Sequence, residues 1–374
     1  MYIRLLETNI REWLTSREVI IVYGTRQVGK TTLLHQLLDE NKDALLLNCE
    51  IPSIAEILES RDLASITALF SNHKIIALDE AQTIGRIGLA LKLIHDELPQ
   101  YKIIATGSSS FDLANQLGEP LTGRNLKFTL FPLSLQEIKD TKNWLWVLNH
   151  LNDYLIYGMY PGITDLDADN KKRKLNELSA DYLYKDILVY EKVKNPSIIR
   201  KLLKALAFQA GSQVSVNELS NMLQITRSQV DLYLELLEKT FIIFSLSSYS
   251  TNLRNEIKKS KKYYFYDNGI LNALISNYSQ VQTRNDMGLL WENFCVSERV
   301  KFNHYNNRFS NLYFWRTYDG AEIDLVEEKD GQLKAFEFKW SIKRKPKLPL
   351  SFSEKYKVEE LHTICPQNVH ELIS

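Results

Sequence analysis

"EVIIVYGTRQVGKTTLLHQLLDE", residues 18–40, decides the fold. Glu18 to Tyr23 is a β-branched apolar run, as a strand buried on both faces of a parallel sheet requires. Gly24-x-x-x-x-Gly29-Lys30-Thr31 follows at once, and Leu33, Leu34, Leu37 and Leu38 then recur at helical spacing. Strand, glycine-bounded loop and helix in this order are the setting in which such an octapeptide cradles phosphates. The two glycines let the backbone N–H groups of Thr25, Arg26, Gln27, Val28 and on to Thr32 curl around phosphate oxygens. The helix start adds partial positive charge. Lys30 is expected to reach the β- and γ-phosphates of ATP, and Thr31 to hold Mg²⁺.

Working outward, "KIIALDE", residues 74–80, ends an apolar strand on two acids. Asp79 suits coordination of Mg²⁺, and Glu80 suits the base that orients a water for attack on the γ-phosphate. "YKIIATGSSS", residues 101–110, is a further buried strand ending in hydroxyls. Ser108 by preference, or Thr106, is expected at the γ-phosphate or the attacking water; a helix N-cap is the alternative. Arg124 in "LTGRNLKFTLFPLS" stands just before another strand. It reads either as an arginine finger on a neighbouring subunit's nucleotide or as an ordinary surface arginine. Strands near 18–23, 44–49, 74–79, 101–106 and 126–131 alternate with helical stretches. The predicted class is α/β: a P-loop NTPase parallel sheet with helices on both faces and the nucleotide at the C-terminal strand ends. This core is assigned to residues 1–140.

The chain has 374 residues, with 46 basic and 46 acidic side chains that cancel. Any nucleic-acid binding must therefore come from local basic patches. Three scattered cysteines, Cys49, Cys295 and Cys365, argue for a reducing compartment. "MYIRLLETNIREWLTSREV" carries charges throughout, so no secretion signal is expected there, and no apolar run is long enough to span a membrane. A cytoplasmic location is expected.

Residues 141–210 are helical in pattern and read as a lid or linker. Their basic run Lys171-Lys172-Arg173-Lys174 reads as a solvated helix face. "SVNELSNMLQITRSQVDLYLELLEKTFIIFSLSSYS" then gives helix, turn, helix and strand, the outline of a winged helix over 211–280. Its basic segment "RNEIKKSKK", with Arg254, Lys258, Lys259, Lys261 and Lys262, is a candidate phosphate contact. The second helix is rich in leucine and acids, a poor surface for a major groove. A packing module is the alternative reading.

"AEIDLVEEKDGQLKAFEFKW", residues 321–340, predicts a hairpin turning at Asp330-Gly331. In that register Asp324 falls opposite Glu337, and Asp324, Glu337 and Lys339 share one face. Ile323, Leu325, Phe336, Phe338 and Trp340 take the other. Two opposed carboxylates repel, so a divalent cation, Lys339 or solvent must compensate. A second metal site of phosphodiesterase type is the functional reading: Asp324 and Glu337 as ligands, Lys339 steadying water, and Glu292 adding a third carboxylate. A charge ladder pairing Glu322 with Lys339 is the bland one. Residues 281–374 form the domain that carries this motif.

"GTRQVGKTTLL", "ALDEAQ", "ATGSSS", "LTGR" with "FPLS", "YLIYGMYPGI" and "FWRTYDGAEIDLV…FEFKWS" together resemble a family of prokaryotic AAA-type P-loop ATPases. These fuse the ATPase core to a C-terminal domain of unknown function with a winged helix and a restriction-endonuclease-like tail. The resemblance runs over essentially the whole chain. It implies ATP binding and hydrolysis through Lys30, Thr31, Asp79 and Glu80, and an endonuclease-like fold around Asp324, Glu337 and Lys339, without implying cleavage. Three functions follow as expectations: an ATPase driving a DNA-associated C-terminal region, an ATP-controlled switch or scaffold for a protein partner, or an active metal-dependent nuclease. A homo-oligomer with nucleotide at subunit interfaces is the assembly the Arg124 finger would need.

Overall fold

The computed structural model describes residues 2–39, 41–108, 121–182, 195–250, 261–342 and 346–374. Among them the chain forms two compact units. The first runs to Pro132 and includes Lys239–Phe241; the second comprises Leu133–Asp181, Asn195–Glu238 and the chain from Ile242.

In the first unit, β1 (Val19–Tyr23), β2 (Ala44–Asn48), β3 (Ile75–Asp79), β4 (Lys102–Gly107) and β5 (Asn125–Thr129) pair in the order β2-β3-β4-β1-β5. Every pairing is parallel. Helices α1 (Leu5–Arg11), α2 (Lys30–Leu38), α3 (Pro52–Ser60), α4 (Leu63–Phe70) and α5 (Ile87–Glu97) accompany it. Val19, Ile21 and Tyr23 pack into a core with Leu58, Ile66, Phe70, Leu91 and Ile94. Ile20 and Val22, on the opposite face by alternation, are equally buried. The β1 run is apolar without a break because both its faces are covered. In sequence β1 leads to the edge strand β2, yet in space it lies between β4 and β5. Loops diverge at its C-terminal end, where an α/β sheet opens its ligand crevice. The expected P-loop NTPase fold is present.

The second unit carries a seven-stranded sheet. Its strands are β6 (Gln213–Val214), β7 (Ile243–Ser248), β8 (Lys261–Phe265), β9 (Asn311–Arg316), β10 (Glu322–Lys329), β11 (Gln332–Phe338) and β12 (Leu361–Ile364), in the order β12-β11-β10-β9-β7-β8-β6. The regions assigned to 211–280 and 281–374 therefore share one sheet, joined where β7 pairs in parallel with β9 through Ser247↔Tyr313 and Ser248↔Phe314. Helix Pro196–Phe208, β6, helix Val216–Leu223, helix Arg227–Lys239 and the β7–β8 pair follow one another in that order. Gln224, at φ 54°, ends the middle helix in a left-handed residue and makes the turn tight.

The hairpin register is as expected over its described pairs, from Lys329↔Gln332 to Leu325↔Phe336. Its faces are not. A register shift against β9 between Ile323 and Val326 interrupts the alternation, and Ile323 through Glu327 are all buried. Ile323, Val326 and Ala335 pack with Trp315, Phe352 and Val358, so Val326 and Ala335, which the expected alternation puts on the acidic face, share a core with Ile323. The basic run also departs from a purely solvated face. Lys171 is buried, its ammonium 3.1 Å from Asp153, whereas Lys172 and Arg173 make exposed pairs with Asp169 and Glu177.

Candidate functional site

The loop between β1 and α2 is shaped by close approach. A Cβ on Gly24 would collide with the Leu130 carbonyl oxygen, so only glycine lets the loop pass the end of β5. Gln27 and Gly29 take positive φ, 60° and 97°, and turn successive amides to one side before α2 begins at Lys30. The Lys30 ammonium is buried and donates to the Gly24 and Thr25 carbonyls at 2.9 and 3.1 Å. It is folded into the loop's own concavity.

Asp79, at the C-terminal end of β3, accepts from the Thr31 hydroxyl at 2.6 Å and from the Thr106 hydroxyl. Thr106 in turn accepts from the Glu80 N–H at 3.3 Å. The P-loop threonine, the β3 aspartate and the β4 threonine thus form one hydrogen-bonded chain. Thr31 and Asp79 are hard oxygen donors held together, a fit for Mg²⁺. Glu80 sits at φ 51°, a left-handed conformation that costs about 1–3 kcal/mol in a non-glycine residue and is found at functional positions. Its carboxylate accepts from Gln82 Nε2. Burial pushes the nearby Cys49 thiol up to about 12, with Asp79 and Glu80 adding to the effect.

Of the two hydroxyls proposed at the end of β4, Thr106 makes the contact with Asp79. Ser108 is buried just beyond the strand end, beside the start of the loop. Arg124 lies elsewhere. It precedes β5, and its carbonyl accepts from the N–H of Val19, the first residue of β1. In a parallel sheet that is the edge opposite the loop. Its guanidinium bonds Asp96 at 2.8 Å, and this bond, with a second from His95, holds the Asp96 carboxyl down at about 2.

Arg4 was missed by sequence reading, because a lone arginine before a short helix matches no motif. It is 4 % exposed, and donates to the Val28 and Phe131 carbonyls at 2.7 Å each.

The second cluster is assembled as the hairpin register implied, but with lysines. Lys339 Nζ lies 2.5 Å from Glu337 and 4.0 Å from Asp324. Phe338 N–H donates to Asp324 at 2.8 Å. Glu292 of helix Met287–Tyr305 accepts from Tyr264 at 2.8 Å and from Lys262 at 3.2 Å. Burial pushes the Glu292 carboxyl up to about 7, with the Asp324 charge adding to it. Burial likewise raises Asp324 and Glu337. Lys262 is 2 % exposed and also pairs with Glu322 at 2.5 Å. That corrects two expectations. Lys262 is an internal counter-ion rather than a surface phosphate contact, and Glu322 pairs with Lys262 rather than Lys339. Among the described residues no group of three or more His, Cys, Asp or Glu side chains is placed to hold a metal ion. Arg254, Lys258 and Lys259 lie outside the described residues; Lys261 is exposed.

The sheet order, the loop and the acid at the end of β3 define a P-loop nucleoside-triphosphatase core. Residues 16–139 match the AAA domain family (AAA_14), which supports a P-loop ATPase of the AAA type and a nucleotide site in this unit. Residues 148–281 and 287–371 match two domains of unknown function, DUF8612 and DUF4143. An uncharacterized protein of Methanocaldococcus jannaschii is 27% identical over 281 residues, covering 70% of this chain and 63% of that protein. An uncharacterized protein of Mycobacterium bovis is 25% identical over 334 residues, 88% of this chain and 72% of its own. Among solved structures, the Walker-type ATPase of Pyrococcus abyssi superposes with a TM-score of 0.51 at 19% identity, over 74% of this chain and 96% of that one. That likeness is one of fold. No helix among the described residues is long and apolar enough to cross a membrane.

Proposed function

We propose that this chain is a Mg²⁺-dependent, cytoplasmic ATPase whose nucleotide state controls a DNA-associated C-terminal region. The observation that carries the reading is the Thr31–Asp79 contact of 2.6 Å beneath a loop that already holds the Lys30 ammonium. Backbone amides of residues 24–32 bind the phosphates, and Lys30 exchanges its two loop carbonyls for β- and γ-phosphate oxygens. Thr31 and Asp79 would hold Mg²⁺, which when bound neutralises phosphate charge. Thr106 orients Asp79 and, through the Glu80 N–H, the turn that presents the Glu80 carboxylate. Glu80 takes the proton of the attacking water, and Ser108, just beyond the end of β4, contacts the γ-phosphate. Arg124, at the opposite sheet edge, acts only on a neighbouring copy's nucleotide. Turnover measured with wild type and Lys30→Ala tests this: activity is lost in the variant, and equal activity overturns the reading.

Two further readings have an observation behind them. The Gln82 bond to Glu80 favours a slow switch that governs a protein partner, because it occupies one oxygen of the base. A Glu80→Gln protein that traps ATP and changes assembly state would support that switch. The closeness of the Asp324 and Glu337 carboxylates, whose charges act on one another, favours a metal-dependent nuclease at Glu292, Asp324, Glu337 and Lys339. The lysine-filled cluster weighs against it, and plasmid left intact with Mg²⁺ and Mn²⁺ would dismiss it.

For the C-terminal region we read residues 211–280 as a winged helix, and 281–374 as an endonuclease-like partner in the same sheet. Nucleic acid would meet the connection between β7 and β8, where Lys261 is exposed. DNA-stimulated ATP turnover that falls steeply with salt is the expected result.

A further inference from the structure

We propose that Arg4 is a positioning residue for nucleotide binding: it fixes the phosphate loop from behind by tying Val28 to the end of the β5 segment. The inference rests on the nucleotide-binding reading above and adds a residue outside the loop motif.

The geometry is specific. One guanidinium nitrogen of Arg4 donates to the Val28 carbonyl, the other to the Phe131 carbonyl, both at 2.7 Å. Val28 is the residue just before Gly29, where the loop turns into α2. A Cβ on Gly29 would stand 3.5 Å from the same guanidinium nitrogen, so the charge sits directly against the loop's C-terminal end. The loop's other end is set by the same strand exit, because Gly24 abuts the Leu130 carbonyl and the Leu130 N–H donates to Tyr23 at 2.7 Å. Both ends of the loop are therefore referenced to Leu130–Phe131. Arg4 supplies the link at the end where α2 and its amides begin. A planar fork with two donors in fixed directions can bridge two carbonyls on different segments and fix their spacing, whereas an ammonium is a single point on a flexible stem and sets that spacing less rigidly.

A second observation separates this role from simple packing. The far end of helix α1 is tied to α2, since Arg11 donates to the Gln36 carbonyl at 3.0 Å. Leu6 and Ile10 between them are fully buried. Arg4 and Arg11 thus hold the same helix, but only Arg4 touches the loop. When the Val28 carbonyl loses its donor it is free to rotate, and the Gly29 amide that follows it turns with it. Phosphate affinity falls, while the helix stays seated on Leu6, Ile10 and Arg11.

The experiment titrates a fluorescent ATP analogue and Mg²⁺ into full-length wild type, Arg4→Ala, Arg4→Lys and Arg11→Met, with thermal midpoints measured without nucleotide. Wild type comes first: if it does not bind, the nucleotide reading fails and this inference falls with it. Given binding, Arg4→Ala weakens affinity by about tenfold or more, the loss of a charge-assisted contact. Millimolar guanidinium restores part of that affinity in Arg4→Ala and none in Arg11→Met. Arg11→Met lowers the midpoint and leaves affinity within about twofold of wild type. Should Arg4→Ala not fold, Arg4→Lys decides, with an expected loss of about threefold or more at a near-native midpoint. Wild-type affinity in the folded Arg4 variant overturns the proposal. So does an equal loss of affinity in Arg11→Met, which would assign the effect to α1 as a whole.

Discussion

Gly24→Ala is the sharpest test of the phosphate loop because the clash it creates has nowhere to go. The added methyl would overlap the Leu130 carbonyl oxygen and lie 3.1 Å from Val28 Cγ2. Ordinary carbon contacts begin near 3.5 Å, so the two segments must separate by about an ångström. The β5 side cannot yield cheaply: the Leu130 N–H is bonded to Tyr23, and the next carbonyl, Phe131, is held by Arg4. The loop must move instead, and it carries the Gly24 carbonyl that anchors Lys30 at 2.9 Å. Overpacking of this kind costs about 1–3 kcal/mol of stability. Misplacing one charge-assisted phosphate contact costs about 1.5–3 kcal/mol of affinity, or about 10- to 100-fold in Kd. Isothermal titration with ATP and Mg²⁺ reads the affinity and thermal unfolding reads the stability. Gly162→Ala serves as the control, since nothing lies within 4 Å of the methyl it adds. A Gly24→Ala protein with a Kd within about twofold of wild type would refute the reasoning, because the methyl would then have been accommodated without moving Lys30.

Three other outcomes are expected. Glu327→Ala removes the buried partner of Arg299, which is bonded to it at 2.6 Å, and denaturant unfolding should lose about 3–5 kcal/mol. Lys262→Met leaves Glu292 and Glu322 without their shared ammonium and should lower the thermal midpoint, whereas Lys261→Met, at an exposed neighbour, should not. Lys102 is held by the Ser16 and Glu18 carbonyls, and burial lowers its pKa to about 8 from 10.5. Its folded form sheds the proton before the unfolded chain does, so its contribution to stability rises with pH between those two values. The gap between wild type and Lys102→Met, followed by denaturant midpoints from pH 7.5 to 9.5, should shift in favour of wild type as pH increases; a constant gap would contradict the assignment.

The parts that sequence made legible are those governed by neighbours along the chain. The β1 run, the two glycines and the leucine spacing of α2 each follow a local rule, and Asp79 and Glu80 end a strand whose apolar pattern marks it. The hairpin register at Asp330-Gly331 is local in the same way. What stayed hidden depends on pairings between distant segments. Nothing near Ser247 announces a parallel partnership with Tyr313, so the single sheet spanning β6 to β12 could not be seen. The burial of Asp324 depends on that sheet and on helix Met287–Tyr305, whose Glu292 and Cys295 lie close to it. Lys262 was hidden by its company, since a run of lysines suggests solvent. One signal did exist: Lys262 and Tyr264 alternate with Tyr263 and Phe265 in an otherwise aromatic strand, which puts the lysine and the tyrosine on one face. Both turn out to bond Glu292.

The two acid-bearing sites differ in the chemistry of their partners, and under the proposed ATPase reading that difference favours the first of them for a divalent cation. Asp79 receives hydroxyl donors from Thr31 and Thr106. Hydroxyls aim a carboxylate without cancelling its charge, and one of the two is itself a metal-ligand type at the loop. In the other site, Glu337 and Asp324 face the Lys339 ammonium while Glu292 and Glu322 share Lys262. An ammonium already satisfies those acids, and a cation arriving there has to displace the partly exposed Lys339 from Asp324 and Glu337, or from Glu292 and Glu322 a Lys262 that is 2 % exposed and has little room to leave. Removing such an ion pair's partner is costly, whereas adding a cation to a hydroxyl-held carboxylate completes it. The same residue types on two sheets thus have opposite surroundings: one carboxylate held by hydroxyls beside the loop, and a cluster of carboxylates held by ammonium groups.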